Sequence, residues 1–194
     1  GPELYRRWMI ARMAASGSSD LLAAWIKRWV DNKRNVLVIG FSLGALLAWE
    51  AAQKVGSKRI SLLLISGAIG DIPSRWQGAD SIGRIVNVYS SSDMVLRRLY
   101  PIGAGNDETP AAGLGRLSSL PDGSVVENID ATDWIGTDHL WGSRHLDQLL
   151  CLAIGCMHGG EDSGSECVLH DSATATIDDE VRARMLFCAR SDTA

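Results

Sequence analysis

The stretch Asn35-Val-Leu-Val-Ile-Gly-Phe-Ser-Leu-Gly44 decides the fold. Its first half is a run of apolar residues without polar alternation, which is typical of a parallel strand covered on both faces. A helical pattern begins at Leu43 and continues through Gln53. The stretch therefore predicts a strand, a tight turn and a helix in direct succession.

Three later apolar runs predict further strands, at Ile60 to Ile65, Ile85 to Tyr89 and Ser124 to Ile129. Helical or loop sequence separates them. Strands that alternate with helices indicate an α/β fold with a mainly parallel sheet flanked by helices. The segment from Pro101 to Pro121 is rich in glycine and has no periodicity, so it is expected to be a surface loop.

The sequence before the first predicted strand is helical. Apolar residues from Glu3 to Asp31 recur at helical spacing, with a break in the polar run before Leu21. Two helices are expected there, the second capped by Ser19 or Asp20. Because no strand is predicted ahead of the turn at Ser42, the sheet is expected to be minimal or truncated at its N-terminal side.

Length and composition favour one folded domain and exclude some functions. A chain of 194 residues with 46% hydrophobic residues can bury a continuous core. Residues 3–155 are expected to form the α/β domain, with a helix from about His145 to Ile154, and residues 156–194 a flexible or weakly helical tail. The net charge of -4 argues against nucleic-acid binding. No apolar run approaches the roughly 20 residues that span a membrane, which leaves peripheral membrane contact open.

The cysteines lie together in the C-terminal quarter of the chain, at Cys151, Cys156, Cys167 and Cys188. They cannot form a disulfide framework for the whole domain, so free thiols in a cytoplasmic protein are expected. The first three could bind zinc together with His158, but the tight Cys-x-x-Cys spacing of structural zinc sites is missing. No metal and no cofactor are expected.

The five residues Gly40 to Gly44 match the nucleophile elbow, a sharp turn between a strand and a helix. Side chains at Gly40 and Gly44 are expected to collide with nearby backbone, while Ser42 presents its hydroxyl above the sheet. The N-terminus of the following helix and the amide of Leu43 could stabilise an oxyanion. This context predicts that Ser42 is a nucleophile.

A nucleophilic serine requires a histidine base and a carboxylate that orients it. Asp93 follows the predicted strand that ends at Tyr89, at the sheet edge where catalytic side chains converge. An N-cap for the helix that begins at Met94 is an alternative role for Asp93. His139 lies in the loop after the last predicted strand and is expected to be the base.

Other residues compete for these roles. His145 is a second candidate base, but its surroundings are helical, so its ring is expected to lie along a helix. Asp130, Asp133 and Asp138 lie near His139 in the sequence and could substitute as the acid, with Asp133 as the reserve choice, although an orienting carboxylate normally reaches the imidazole from a different loop.

The motifs Ile85-Val-Asn-Val-Tyr-Ser-Ser-Ser-Asp-Met-Val-Leu96, Val126-Glu-Asn-Ile-Asp130 and Asp138-His139 add a resemblance to these patterns. Between about Leu37 and Leu146 the chain resembles α/β-hydrolases related to transmembrane and coiled-coil domain proteins. The resemblance implies a serine hydrolase or lipase-like fold, with Ser42, Asp93 and His139 at the triad positions. The chain departs from that family at its front, since a complete hydrolase sheet has strands before the elbow and takes its second oxyanion donor from them.

Hydrolysis of a carboxylic ester or lipid through an acyl-enzyme is therefore the expected function, with a small-molecule substrate. A non-catalytic interaction module on a hydrolase scaffold is one alternative. Another is a fragment that needs a further segment to complete the oxyanion hole. Several apolar residues could line an acyl pocket or belong to the core: Trp76, Met94, Val95, Leu96, Leu99 and Trp141.

Overall fold

Four parallel strands form the sheet in a computed structural model of the protein, which describes residues 2–104 and 110–140. The strand order follows the chain: β1 (Val36–Phe41), β2 (Ile60–Ile65), β3 (Arg84–Tyr89) and β4 (Val126–Asp130). All four strands were predicted from their apolar runs. The predicted α/β fold with a parallel sheet is confirmed.

Helices precede, connect and follow these strands. They are α1 (Pro2–Gly17), α2 (Ser19–Asp31), α3 (Leu43–Val55), α4 (Met94–Ala104) and the one-turn α5 (Thr132–Ile135), with short 3-10 turns at Pro73–Arg75, Ala79–Ser81 and Ala112–Leu114. The break that was predicted between the first two helices is confirmed, as is the helix that follows β1.

The capping prediction for α2 is wrong. Ser18 precedes the helix and makes no side-chain cap. The Ser19 hydroxyl instead donates back to the carbonyl of Ser16, over 2.6 Å. Lys54 on α3 donates to the Ser19 hydroxyl and to the Asp20 carboxylate, over 2.7 and 2.6 Å. Both side chains therefore fasten α2 to α3, because they face a neighbouring helix rather than their own first turn.

The main core lies between α3 and one face of the sheet. Within it, the rings of Trp49 and Trp76 pack with centroids 4.7 Å apart, and both side chains are fully buried. Each indole N–H is satisfied by a main-chain carbonyl, at Arg75 for Trp49 and at Gly70 for Trp76. Trp76 is thus a core residue, as expected if it does not line an acyl pocket.

The strand β1 lies at one edge of the four-stranded sheet. The N–H of Val36 donates to Arg59, and the N–H of Ser42 donates to Ile65. Since main-chain directions alternate along a strand, the N–H groups of Leu37, Ile39 and Phe41 point away from β2.

Large apolar side chains remain exposed at this edge and on α2. Ile39 is 38% exposed in the middle of β1. On α2 the exposed residues recur every fourth position and are 78%, 65% and 44% exposed at Leu21, Trp25 and Trp29. Residues at this spacing lie along one side of a helix, so α2 carries an exposed apolar stripe.

The prediction of a surface loop from Pro101 to Pro121 is wrong in two parts. Its start continues α4 through Ala104, and residues 111–113 are buried. The N–H of Gly113 donates to the carbonyl of Gly67 over 3.0 Å. A Cβ atom on Gly113 would stand 2.4 Å from the nitrogen of Gly67, so only glycine permits this approach.

Several expectations concern residues outside the described ranges. These are the helix from His145 to Ile154, the tail at 156–194, the four cysteines and Trp141.

Candidate functional site

Ser42 occupies the sharp turn between β1 and α3. Its backbone lies at φ 54° and ψ -120°, a left-handed conformation that is costly for a residue with a side chain. Its N–H donates to Ile65 over 3.0 Å, and its carbonyl accepts from Ala45 and Ala68 over 3.1 and 2.9 Å. These bonds to β2, to α3 and to the loop after β2 hold the strained turn in place.

The two glycines that flank Ser42 differ in their surroundings. A Cβ atom on Gly40 would stand 2.5 Å from the Cα of Ala45 and 2.6 Å from the carbonyl oxygen of Gly44. The collision predicted there is confirmed. Among the described residues, a Cβ atom on Gly44 would meet nothing within 4 Å, so the collision predicted with nearby backbone at that position is wrong. Gly44 lies in the first turn of α3.

The imidazole of His139 connects Ser42 to Asp93. Its Nδ1 lies 2.7 Å from Oδ2 of Asp93, and its Nε2 lies 2.8 Å from Oγ of Ser42. An ionised carboxylate can only accept a hydrogen bond, so Nδ1 carries a proton beside Asp93. In the neutral ring Nε2 is then an acceptor, and the Ser42 hydroxyl donates to it. The structure thus brings the three predicted residues together in one hydrogen-bonded chain.

Asp93 uses both of its carboxylate oxygens. Oδ2 meets His139, while Oδ1 accepts from the N–H groups of Val95 and Leu96, each over 3.0 Å. These amides belong to the first turn of α4, so Oδ1 caps that helix. The two roles weighed for Asp93 in the sequence are therefore compatible. With its side chain fully buried, the carboxylate is fixed from both sides.

The site is largely shielded from water. His139 is 8% exposed, and its ring packs against Phe41 with centroids 5.2 Å apart. Leu43, the first residue of α3, is half-buried and packs against a small apolar cluster that includes Leu96 and Tyr100. The first N–H groups of a helix have no intrahelical acceptor, so the amide of Leu43 can donate to a bound group.

The reserve residues lie apart from this chain of contacts or outside the described residues. Asp133 is exposed in the first turn of α5. His145 is outside the described residues. Among the acyl-pocket candidates, Leu96 is buried, whereas Met94 and Val95 are half-buried in the first turn of α4.

A second polar pair lies at the carboxyl ends of β3 and β4. The hydroxyl of Tyr89 donates to Asp130 over 3.2 Å. The hydroxyl of Thr132 holds the pKa of Asp130 below its usual value. Burial, assisted by the charge of Asp130, raises the pKa of Tyr89.

Sequence reasoning missed the contacts of Ser90 and Phe41. Ser90 is fully buried, and its hydroxyl donates to the carbonyl of Gly136 over 2.7 Å. The run of three serines before Asp93 was the available signal, but it does not reveal which hydroxyl faces another loop. The position of Phe41 beside the histidine depends on how the loop after β4 folds back, which the local sequence does not determine.

Fold and site together define an α/β protein that carries a hydrogen-bonded serine, histidine and aspartate at the carboxyl edge of a parallel sheet. Among residues 2–104 and 110–140, no group of three or more histidine, cysteine, aspartate or glutamate side chains could hold a metal ion. More particularly, the chain belongs to the family described as "Protein of unknown function (DUF726)", whose model matches residues 3–155.

Two longer proteins are similar to this chain. An uncharacterized membrane protein of Schizosaccharomyces pombe is 31% identical over 142 residues, which cover 70% of this chain and 24% of that protein. A transmembrane and coiled-coil domain-containing protein of Oryza sativa subsp. japonica is 26% identical over 137 residues, which cover 66% of this chain and 20% of that protein. The match thus spans about a quarter and a fifth of these relatives. No solved structure matches the chain significantly.

The names of both relatives mention a membrane. In the part of this chain that the structure describes, none of the helices is both long enough and apolar enough to cross one.

Proposed function

We propose that the chain is a serine hydrolase that cleaves a carboxylic ester or lipid through an acyl-enzyme. One observation supports this proposal above all: the imidazole of His139 lies within hydrogen-bond distance of both Ser42 and Asp93, at 2.8 and 2.7 Å. A serine becomes nucleophilic when a base stands ready for its proton and a third group fixes that base.

Acylation would begin with the Ser42 hydroxyl. Its proton passes to Nε2 of His139 while Oγ forms a bond to the substrate carbonyl carbon. The carbonyl oxygen becomes an oxyanion, and the N–H of Leu43 at the start of α3 can donate to it. The tetrahedral intermediate collapses as the bond to the alkoxide breaks. His139 returns the proton to that leaving group, which departs as an alcohol.

Deacylation would use the same groups with water as the nucleophile. His139 takes a proton from water, whose oxygen attacks the acyl carbon, and then returns the proton to Oγ of Ser42 as the acid leaves. Asp93 holds the imidazole in the required tautomer and stabilises the imidazolium that forms in each half-reaction. The apolar cluster beside Leu43 and the exposed Leu140 beside His139 favour a substrate with an apolar acyl group.

Hydrolysis of p-nitrophenyl esters with acyl chains of increasing length tests this proposal. We expect turnover by the wild type and none above background with Ser42→Ala. Ser91→Ala is the matched control, because Ser91 is an exposed serine in a loop of the same sheet edge. Loss of turnover in both variants, or in neither, would contradict the assignment of Ser42.

A non-catalytic interaction module is the second candidate. The exposed stripe of Leu21, Trp25 and Trp29 on α2 favours it, since contiguous exposed apolar surface commonly marks an interaction site. Among residues 2–104 and 110–140 no strand pairs with the outer edge of β1, next to the turn of Ser42, and a further segment there could supply a second oxyanion donor. A fluorophosphonate probe separates the candidates, because a module without catalytic function leaves Ser42 unmodified while remaining folded.

A further inference from the structure

The side chain of Ser90 links the loop that carries Asp93 to the loop that carries His139. Ser90 follows β3 directly, and its hydroxyl donates over 2.7 Å to the carbonyl of Gly136, the residue after α5. Asp93 lies three residues after Ser90, and His139 lies three residues after Gly136. The bond therefore joins the two loops three residues before the contact between Asp93 and His139.

Every polar group of Ser90 is engaged in shaping this region. Its N–H donates to Gly113 over 3.1 Å, and its carbonyl accepts from the N–H of Asp93 over 3.2 Å. Its hydroxyl oxygen also accepts from the N–H of Ser92 over 3.3 Å. The same side chain thus shapes the turn that presents Asp93 and reaches across to Gly136.

Gly136 has an unusual backbone, which makes a fixed partner for its carbonyl important. It lies at φ 53° and ψ -127°, a region that glycine tolerates and other residues avoid. Its N–H donates to Thr132 over 2.8 Å, so the peptide groups on both sides of the turn are tied down. Without the hydroxyl of Ser90, the carbonyl of Gly136 would lose this bond to the β3 loop, three residues before His139.

We infer that Ser90 is a positioning residue that sets the separation of Asp93 and His139, and so the placement of the imidazole beside Ser42. This inference rests on the proposed function. The Ser90 hydroxyl bonds Gly136 and Ser92 rather than Ser42, Asp93 or His139. Its removal should therefore lower the reactivity of Ser42 without lowering the affinity for a reagent.

The test compares Ser90→Ala with the matched control Ser91→Ala. Ser91 contacts Thr132 through its N–H over 3.0 Å and through its hydroxyl over 3.3 Å, and it is exposed. Its main-chain bond persists in the alanine variant. For each protein, the rate of modification by a fluorophosphonate is measured as a function of probe concentration, together with the melting temperature.

We expect Ser90→Ala to lower the maximum modification rate by about 10- to 100-fold, because small misplacements of reacting groups cost that much. The half-saturating probe concentration should stay within about twofold, and Ser91→Ala should change neither quantity by more than about twofold. A maximum rate for Ser90→Ala within that same margin of the wild type would overturn the inference.

A second readout does not depend on reactivity. The Nδ1 proton of His139, bonded to Asp93, should give a downfield proton NMR resonance, assigned by its loss in His139→Gln. We expect this resonance in the wild type and Ser91→Ala, and its loss or broadening in Ser90→Ala. Its persistence unchanged in Ser90→Ala would contradict the positioning role. If the wild type resists the probe, the proposed function fails, whereas this resonance still reports on Ser90.

If Ser90→Ala does not fold, Ser90→Cys keeps the test decisive, since a thiol fills the site but is a much weaker donor to the carbonyl of Gly136. Its maximum modification rate should fall below that of the wild type with the half-saturating concentration preserved. An unchanged maximum rate in folded Ser90→Cys would overturn the inference.

Discussion

The two carboxylate oxygens of Asp93 carry separable tasks, which a pair of substitutions can resolve. Asp93→Asn keeps an oxygen that can cap α4, since asparagine caps helices about as well as aspartate. Its amide N–H₂ would then face Nδ1 of His139 and donate to it. The imidazole would be held as the tautomer with a proton on Nε2, which cannot accept the proton of Ser42. Asp93→Ala removes both contacts.

The magnitudes follow from these contacts. Losing the cap, which binds the amides of Val95 and Leu96, costs about 1 kcal/mol. Leaving the buried Nδ1 of His139 without a partner costs about 1–3 kcal/mol more. Asp93→Ala should therefore lose about 2–4 kcal/mol of unfolding free energy. Asp93→Asn should lose less than about 1.5 kcal/mol, because each group keeps a partner.

Reactivity, unlike stability, should fall equally in the two variants. Both Asp93 variants should react with a fluorophosphonate about 10⁴-fold more slowly than the wild type, because neither presents the correct tautomer. Urea unfolding followed by tryptophan fluorescence gives the stabilities, and mass spectrometry gives the modification rates. The reasoning is refuted if Asp93→Asn is as unstable as Asp93→Ala, or if Asp93→Asn reacts at nearly the wild-type rate.

Three further predictions concern the turn at Ser42 and the polar pair of Tyr89 and Asp130. Gly40→Ala should lower the free energy of unfolding in urea by about 2 kcal/mol or more, because its Cβ meets backbone atoms. Gly44→Ala should leave that free energy unchanged, and equal losses in the two variants would contradict the geometry. Ser42→Gly should be about 1–2 kcal/mol more stable than Ser42→Ala, because glycine relieves the left-handed strain, and equal unfolding free energies would argue against that strain. Because burial and the charge of Asp130 raise the pKa of Tyr89, the tyrosine absorbance that Tyr89→Phe removes should titrate with a midpoint above about 10. Folding holds that proton more tightly than the unfolded chain, so the contribution of Tyr89 to stability is complete below about pH 10 and is lost at higher pH; a midpoint of 10 or lower would contradict this.

Much of the fold was predictable because short local sequence patterns determine it. The apolar runs located β1 to β4, and the placement of Ser42 between a strand and a helix follows from neighbouring residues. Chain order and strand ends then brought Asp93 and His139 to the same sheet edge. These features depend on periodicity and on the rule that parallel strands end together.

The features that sequence reasoning missed depend on distant contacts. The burial of residues 111–113 requires Gly113 to fit against Gly67, which lies 46 positions earlier. Trp76 was a candidate for the acyl pocket, and only its packing against Trp49 identifies it as a core residue. The sequence left Asp93 as either a triad acid or a helix cap. It could not reveal that the two carboxylate oxygens take one role each.

Site-resolved modification by a fluorophosphonate tests the central claim most directly. After brief exposure of the folded chain, peptide mass spectrometry should locate a single adduct on Ser42, and His139→Gln should abolish it while remaining folded. The adduct should also be absent from Ser42→Ala and present in Ser91→Ala. A folded wild-type chain whose Ser42 stays unmodified, or whose modification does not depend on His139, would contradict the account.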